Sequence, residues 1–138
     1  MRAPHPVLDA YYDSEKSKRD FVREIFDETA ADYDRVDSLL AFGSGSRYRR
    51  QALLRAGLAP GMKVLDVAVG TGLLSRQIVR VIGNSEDVVG IDPSAGMLAS
   101  STSALAISLL RGRAEALPFA AASFDFLSLG FALRHVDD

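Results

Sequence analysis

Three stretches of this chain have residue types and spacings that suit holding a ligand. The first is Val64 to Leu74, which reads Val-Leu-Asp-Val-Ala-Val-Gly-Thr-Gly-Leu-Leu. An apolar run with Asp66 inside it stops at Gly70 and Gly72, and Leu73, Leu74, Ile78, Val79 and Ile82 then recur at helical spacing. A strand, a glycine turn and a helix in that order let backbone approach a ligand without Cβ interference, and the helix start offers free N–H groups. Asp66 adds a negative charge near the turn, which disfavours a pyrophosphate and suits a sulfonium or ammonium group. The second stretch, Val88-Val89-Gly90-Ile91-Asp92, ends on a carboxylate twenty residues beyond Gly72. A carboxylate at a strand end can accept two hydrogen bonds from the cis-hydroxyls of a ribose. The third, Gly112 to Phe119, follows a further strand and is placed to wall a flat base.

Taken singly, each signal is weak. A Gly-x-Gly turn is often only a tight connection, and a lone Asp after a strand is more often a helix cap. In this order and spacing the three pieces together select a nucleoside. Ser75 loosely meets the third small position of a dinucleotide fingerprint, but Asp66 weighs against a pyrophosphate there.

Composition narrows the remaining classes. The chain has 138 residues, enough for one domain with a real core, and its formal charge of −2 makes no electrostatic case for nucleic acid. It has no cysteine, which removes disulfides, thiolate catalysis and thiolate metal sites. His5 and His135 are too far apart in sequence to suggest a metal site by themselves. No signal-peptide core follows Met1, and the uncharged stretch Pro93 to Leu110 is broken by proline, glycine and serines. The expected location is the cytoplasm, with room for peripheral contact at the inner membrane face.

The elements that must position these residues follow from periodicity. Phe21, Val22, Ile25, Phe26 and Ala30 share one face of a helix beginning near Ser14, and a second helix is predicted over Arg47 to Ala56 after the loop Gly43 to Ser46. Pro60-Gly61 launches the central strand. A helix ending near Gly83-Asn84 follows, then the strand Val88 to Asp92, a helix opened by Pro93-Ser94 with Met97 and Leu98 inward, and strands over Ala106 to Leu110 and Phe124 to Leu129. Alternation of this kind makes a doubly wound, Rossmann-like α/β parallel sheet, with residues 1–58 as an N-terminal helical segment and 59–138 as the ligand-binding core. Both glycine turn and Asp92 then lie on the ligand edge, near the topological switch point.

The motifs resemble those of the C-methyltransferases of ubiquinone and menaquinone biosynthesis, from about Phe21 to the last residue. Leu65 to Gly72 is similar to that family's first motif, including Ala68 where many methyltransferases have glycine. Gly90-Ile91-Asp92-Pro93-Ser94 with Met97-Leu98 resembles the second, and Ala114 to Phe119 followed by Ser123-Phe124-Asp125 the third. Phe26, Ala30, Tyr33-Asp34, Gly43 and Arg49 fall at the spacing of its N-terminal signature. The chain departs from the family pattern at Asp37, Ala41, Tyr48, Arg113 and His135, where the family has Asn, Ser, Trp, an acid and Asn. At Arg113 the change matters chemically, because a guanidinium has no acceptor for the adenine amine.

The resemblance implies a class I fold that binds S-adenosyl-L-methionine through Tyr33, Asp66, Ala68, Gly70, Thr71, Gly72, Asp92, Pro93, Met97, Arg113, Ala114 and Leu129. It implies methyl transfer to a hydrophobic, quinol-like acceptor, with Arg134 stabilising a phenolate and His135, or a water it holds, taking the proton. The alternatives are an amine, a phospholipid headgroup or another small molecule as acceptor, or a non-catalytic cofactor-binding subunit. The family's fold continues beyond a fourth strand, so the resemblance also implies a sheet truncated there. A missing C-terminal half, or self-association through that strand, is expected.

Overall fold

The computed structural model describes residues 20–29, 32, 35 and 44–130. Residues 20–29 form helix α1, followed by α2 (Ser44–Arg55), β1 (Val64–Val67), α3 (Leu73–Ile82), β2 (Val88–Asp92), α4 (Ala95–Ala104), β3 (Ser108–Arg111) and β4 (Phe126–Leu129). The strands form one parallel sheet in the order β3-β2-β1-β4. The chain winds outward from β1 to β3 and then returns to the other side of β1. The switch point therefore falls at β1, directly before the glycine turn.

Alternation along the strands separates two faces. Val64, Val88 and Phe126 pack with Leu53 of α2 and Leu74, Ile78 and Ile82 of α3. Ile78 and Val64 are fully buried, each contributing roughly 1.5–3 kcal/mol through the apolar surface removed from water. The opposite face carries Leu65, Val67, Ile91, Val89 and Leu129, and its cover comes from loop residues Ala114, Phe119 and Phe124. Phe119 and Phe124 meet edge to face with ring centroids 5.0 Å apart. Among the described residues that cover is incomplete, since Leu127 of β4 is 56% exposed.

Element boundaries differ from expectation in three places, and the burial of α1 in a fourth. Helix α2 begins at Ser44, so residues assigned to a loop before it form its first turn, and it closes with Leu58 N–H bonding Leu53 C=O and Gly57 at φ 95°. Strand β3 begins only at Ser108, where pairing with Val89 starts. Strand β4 begins at Phe126, because Phe124 is drawn into the aromatic contact and Asp125 is engaged by Lys63, whose N–H donates to Asp125 Oδ2 at 2.8 Å. On α1 the apolar stripe is only partly used: Val22 and Phe26 are half-buried, whereas Phe21 and Ile25 are exposed.

Candidate cofactor site

The turn after β1 is built from alternating left-handed residues: Ala68 at φ 55°, Gly70 at 57° and Gly72 at 87°. Val69 N–H still reaches Ile91 C=O at 3.0 Å, which extends the β1–β2 ladder by one bond. Gly70 N–H turns instead to Asp92 Oδ2 at 2.8 Å. Gly72 closes the turn, with its N–H on Val69 C=O and its own carbonyl receiving Arg76 N–H as α3 begins. Gly72 offers no side chain to cap α3, and the start of α3 presents the positive dipole end of a helix to the turn. Thr71, between the two glycines, is buried.

Asp92 is the hinge of this edge. One oxygen takes Gly70 N–H, and the other takes Ser94 N–H at 2.8 Å. Burial pushes its carboxyl above the ordinary carboxylate range, and the bonds from Ser94 and Gly70 pull it partway back. Each oxygen retains a lone pair, so the same carboxylate can hold the turn and still accept a hydroxyl.

Asp66 has a different setting from the one expected. It faces α3 rather than the turn, is 1% exposed, and both its oxygens are occupied by Ser75 Oγ and by Ser128 Oγ at 2.7 Å. Burial lifts its carboxyl to about 6, opposed by those two hydroxyls and reinforced by the charge of Asp92. With Asp66 at 1% exposure, a direct bond from it to a cofactor amine would have to reach the lone pairs left over from Ser75 and Ser128. Its field also adds to that of Asp92 in disfavouring a pyrophosphate at the turn.

The other expected residues fall as follows. Pro93 is exposed and its carbonyl accepts Arg111 Nε at 3.2 Å, while Met97 is buried under the first turn of α4. Arg113 is gripped by Glu115 through two bonds of 3.2 Å, so the guanidinium brings its own counter-ion. Ala114 and Leu129 are half-buried in one cluster at the strand ends. Tyr33, Arg134 and His135 lie outside the described residues.

The sequence reading missed Asp27. This α1 residue accepts Ser94 Oγ and, at 2.9 Å, Gly96 N–H on one oxygen, Oδ1. Those two bonds, chiefly the one from Ser94, hold its carboxyl below the ordinary range. A carboxylate on an amphipathic helix reads as solvated, and its partners stand 67 and 69 residues away. Ser128 was missed for the same reason, while Ser75 registered only as a small residue.

These residues fit an S-adenosylmethionine nucleoside: a carboxylate at the lip of β2, a glycine turn at the switch point, a helix start without a side-chain cap from Gly72 and an apolar wall. Among the described residues no cluster of His, Asp or Glu could hold a metal ion, and no helix is long and apolar enough to cross a membrane.

Comparison with known proteins agrees with this geometry. The model of the ubiE/COQ5 methyltransferase family matches residues 13–138. The chain is 37% identical over 128 residues to a ubiquinone/menaquinone biosynthesis C-methyltransferase of Hahella chejuensis, covering 88% of this chain and 51% of that protein. It is 33% identical over 127 residues to a demethylmenaquinone methyltransferase of Staphylococcus aureus, covering 89% and 53%. Among solved structures, a SAM-dependent methyltransferase of Thermotoga maritima, described as a possible histamine N-methyltransferase, superposes with a TM-score of 0.64 at 26% identity. That match covers 83% of this chain and 50% of that one. The chain thus spans about half the length of the relatives it matches.

Proposed function

The chain belongs to the ubiE/COQ5 methyltransferase family, and from that premise we propose that it is the cofactor-binding part of an S-adenosylmethionine-dependent C-methyltransferase acting on a quinol-like acceptor. The observation that carries the cofactor half is the Asp92 carboxylate, held at the lip of β2 by Gly70 and Ser94 beside the glycine turn. The printed names of the relatives support the acceptor half.

When bound, S-adenosylmethionine supplies an electrophilic methyl group. The chain's own task is to place and polarise. Asp92 accepts ribose hydroxyls on lone pairs left over from Gly70 and Ser94. The start of α3 offers N–H groups to a carboxylate. Ala114, Phe119 and Leu129 give an apolar wall at the strand ends. In-line displacement needs little beyond alignment and an activated nucleophile. A ring carbon of a quinol becomes nucleophilic once a neighbouring hydroxyl, with a free pKa of about 10, loses its proton. Arg134 is assigned to stabilise that phenolate and His135, or a water it holds, to accept the proton.

The test is calorimetric titration with S-adenosylhomocysteine and with NAD, followed by radiolabelled methyl transfer to a demethylated quinol. Binding of the first ligand alone supports the cofactor assignment, and labelled product supports the acceptor. Preference for NAD would overturn the cofactor. Transfer to amines or phospholipid headgroups but not to the quinol would replace the acceptor.

A further inference from the structure

We propose that Asp27 is a positioning residue for the cofactor edge: it docks α1 on the first turn of α4 and thereby fixes Asp92 against the glycine turn. The inference rests on the S-adenosylmethionine reading of that edge.

A continuous line of bonds supports it. Gly70 N–H is held by Asp92 Oδ2, and Asp92 Oδ1 is held by Ser94 N–H. The Ser94 hydroxyl accepts Met97 N–H at 3.1 Å as the cap of α4, and donates its own proton to Asp27 Oδ1. The same Asp27 oxygen takes Gly96 N–H. Ser94 is therefore fixed by three bonds, one of which ends on α1, and its backbone is the group that orients Asp92.

The seat for α1 is shaped as well as bonded. A Cβ at position 96 would lie 2.7 Å from the Asp27 carbonyl oxygen and 2.9 Å from its Cα. Backbone cannot yield as the tip of a side chain can, so only glycine lets α1 come this close. A cap for α4 needs no more than Ser94. Asp27 adds a second acceptor from an element 67 residues away, and what that adds is a link between α1 and the ligand edge.

Such a link is reciprocal: if docked α1 helps Asp92 to bind a nucleoside, a bound nucleoside must hold α1 down. The experiment uses the whole chain with S-adenosylhomocysteine as probe. Affinity is read by calorimetry, and hydrogen exchange is followed over residues 20–29 with and without the ligand. In the unaltered chain, ligand should slow exchange in α1. Asp27→Ala should weaken binding about tenfold and abolish that slowing. Asp27→Asn keeps a carbonyl oxygen for both Gly96 and Ser94, and should restore affinity to within about threefold and restore the slowing. Gly96→Ala pushes α1 off its seat by crowding the Asp27 backbone while leaving both carboxylates in the chain, and should repeat the Asp27→Ala result. It decides the matter if Asp27→Ala fails to fold.

Unchanged affinity in both Asp27→Ala and Gly96→Ala, or α1 exchange indifferent to bound ligand, would overturn the link while leaving the cofactor reading intact. Failure of the unaltered chain to bind S-adenosylhomocysteine would overturn both.

Discussion

The carboxylate of Asp92 accepts the backbone N–H of Gly70 at 2.8 Å, so the residue best placed for a ribose is also the one that shapes the turn beneath it. Considered from sequence as a ligand contact alone, Asp92 should be removable without harm to the empty protein. The structure reverses that expectation. Asp92→Ala strips acceptors from two backbone N–H groups, each costing about 1–3 kcal/mol if left unpaired. We expect S-adenosylhomocysteine affinity to fall at least about tenfold and the ligand-free melting temperature to fall with it. Asp92→Asn should also destabilise, because an amide turns an NH2 towards one of those donors. Thermal melts with and without ligand check both; an unmoved ligand-free midpoint would refute the structural role.

Asp66 gives the chain an unusual pH dependence. Its folded-state value of about 6 exceeds the unfolded 3.8, so the native state holds this proton more tightly. The contribution is fully present below about pH 3.8 and is lost as pH rises through 6, amounting to about 3 kcal/mol. Burial of Asp92 acts in the same direction. Asp66→Asn can still bond both Ser75 and Ser128 and should flatten the slope between pH 4 and pH 7 in urea denaturation. An unchanged slope in the variant would show that another group is responsible.

Ala68 sits at φ 55°, where an L-residue costs about 1–2 kcal/mol. Ala68→Gly relieves that strain but adds about 0.4–1 kcal/mol of unfolded-state freedom. The strain term is the larger, so the variant should gain up to about 1 kcal/mol, whereas Ala68→Val should lose stability through branching at Cβ. Chemical denaturation of the two variants measures the cost of the left-handed conformation.

Gly72 and Ser101 form a tight pair across α3 and α4. A Cβ at position 72 would lie 2.4 Å from Leu105 Cδ1 and 2.8 Å from Ser101 Oγ, at a backbone φ of 87°. Gly72→Ala should cost roughly 2–3 kcal/mol from strain and overpacking together. Ser101 Oγ is buried and has no hydrogen-bond partner among the described residues. Ser101→Ala should therefore stabilise by about 1 kcal/mol. The double variant should recover part of the Gly72→Ala loss, a non-additivity measurable in a double-mutant cycle.

Much of this architecture was legible because its signals are local. Val64 to Gly72 announces a buried strand and a turn through residue types alone, and Gly83 marks the end of α3, where it stands at φ 84°. Right-handed crossovers put the helices after β1 and β2 on one face, and the order β3-β2-β1-β4 is the one that the family resemblance implies. What sequence could not disclose were partnerships across distance. Asp66 reads as a charge beside a turn, whereas the hydroxyls of Ser75 and, 62 residues later, Ser128 hold it facing inward. Phe124 has strand-like character, yet its ring is claimed by Phe119. Even for near neighbours the geometry is not written in the sequence: Glu115, two residues on, turns both of its oxygens to the Arg113 guanidinium.

The bond from Ser128 to Asp66 sets an order of events as the chain folds. Strand β1 pairs with β2 across one short helix, but its other edge must remain open until residues 126–129 have been made. Pairing at such sequence separation comes late and slowly, because a long loop has to close before any contact rewards it. During that interval Val64, Leu65 and Val67 present an apolar strand with unpaired backbone, the surface on which partly folded chains aggregate. A register slip of one residue would set Leu127 or Leu129 opposite Asp66 and leave a buried carboxylate short of a donor. The Ser128 hydroxyl thus favours the native register when β4 docks on β1.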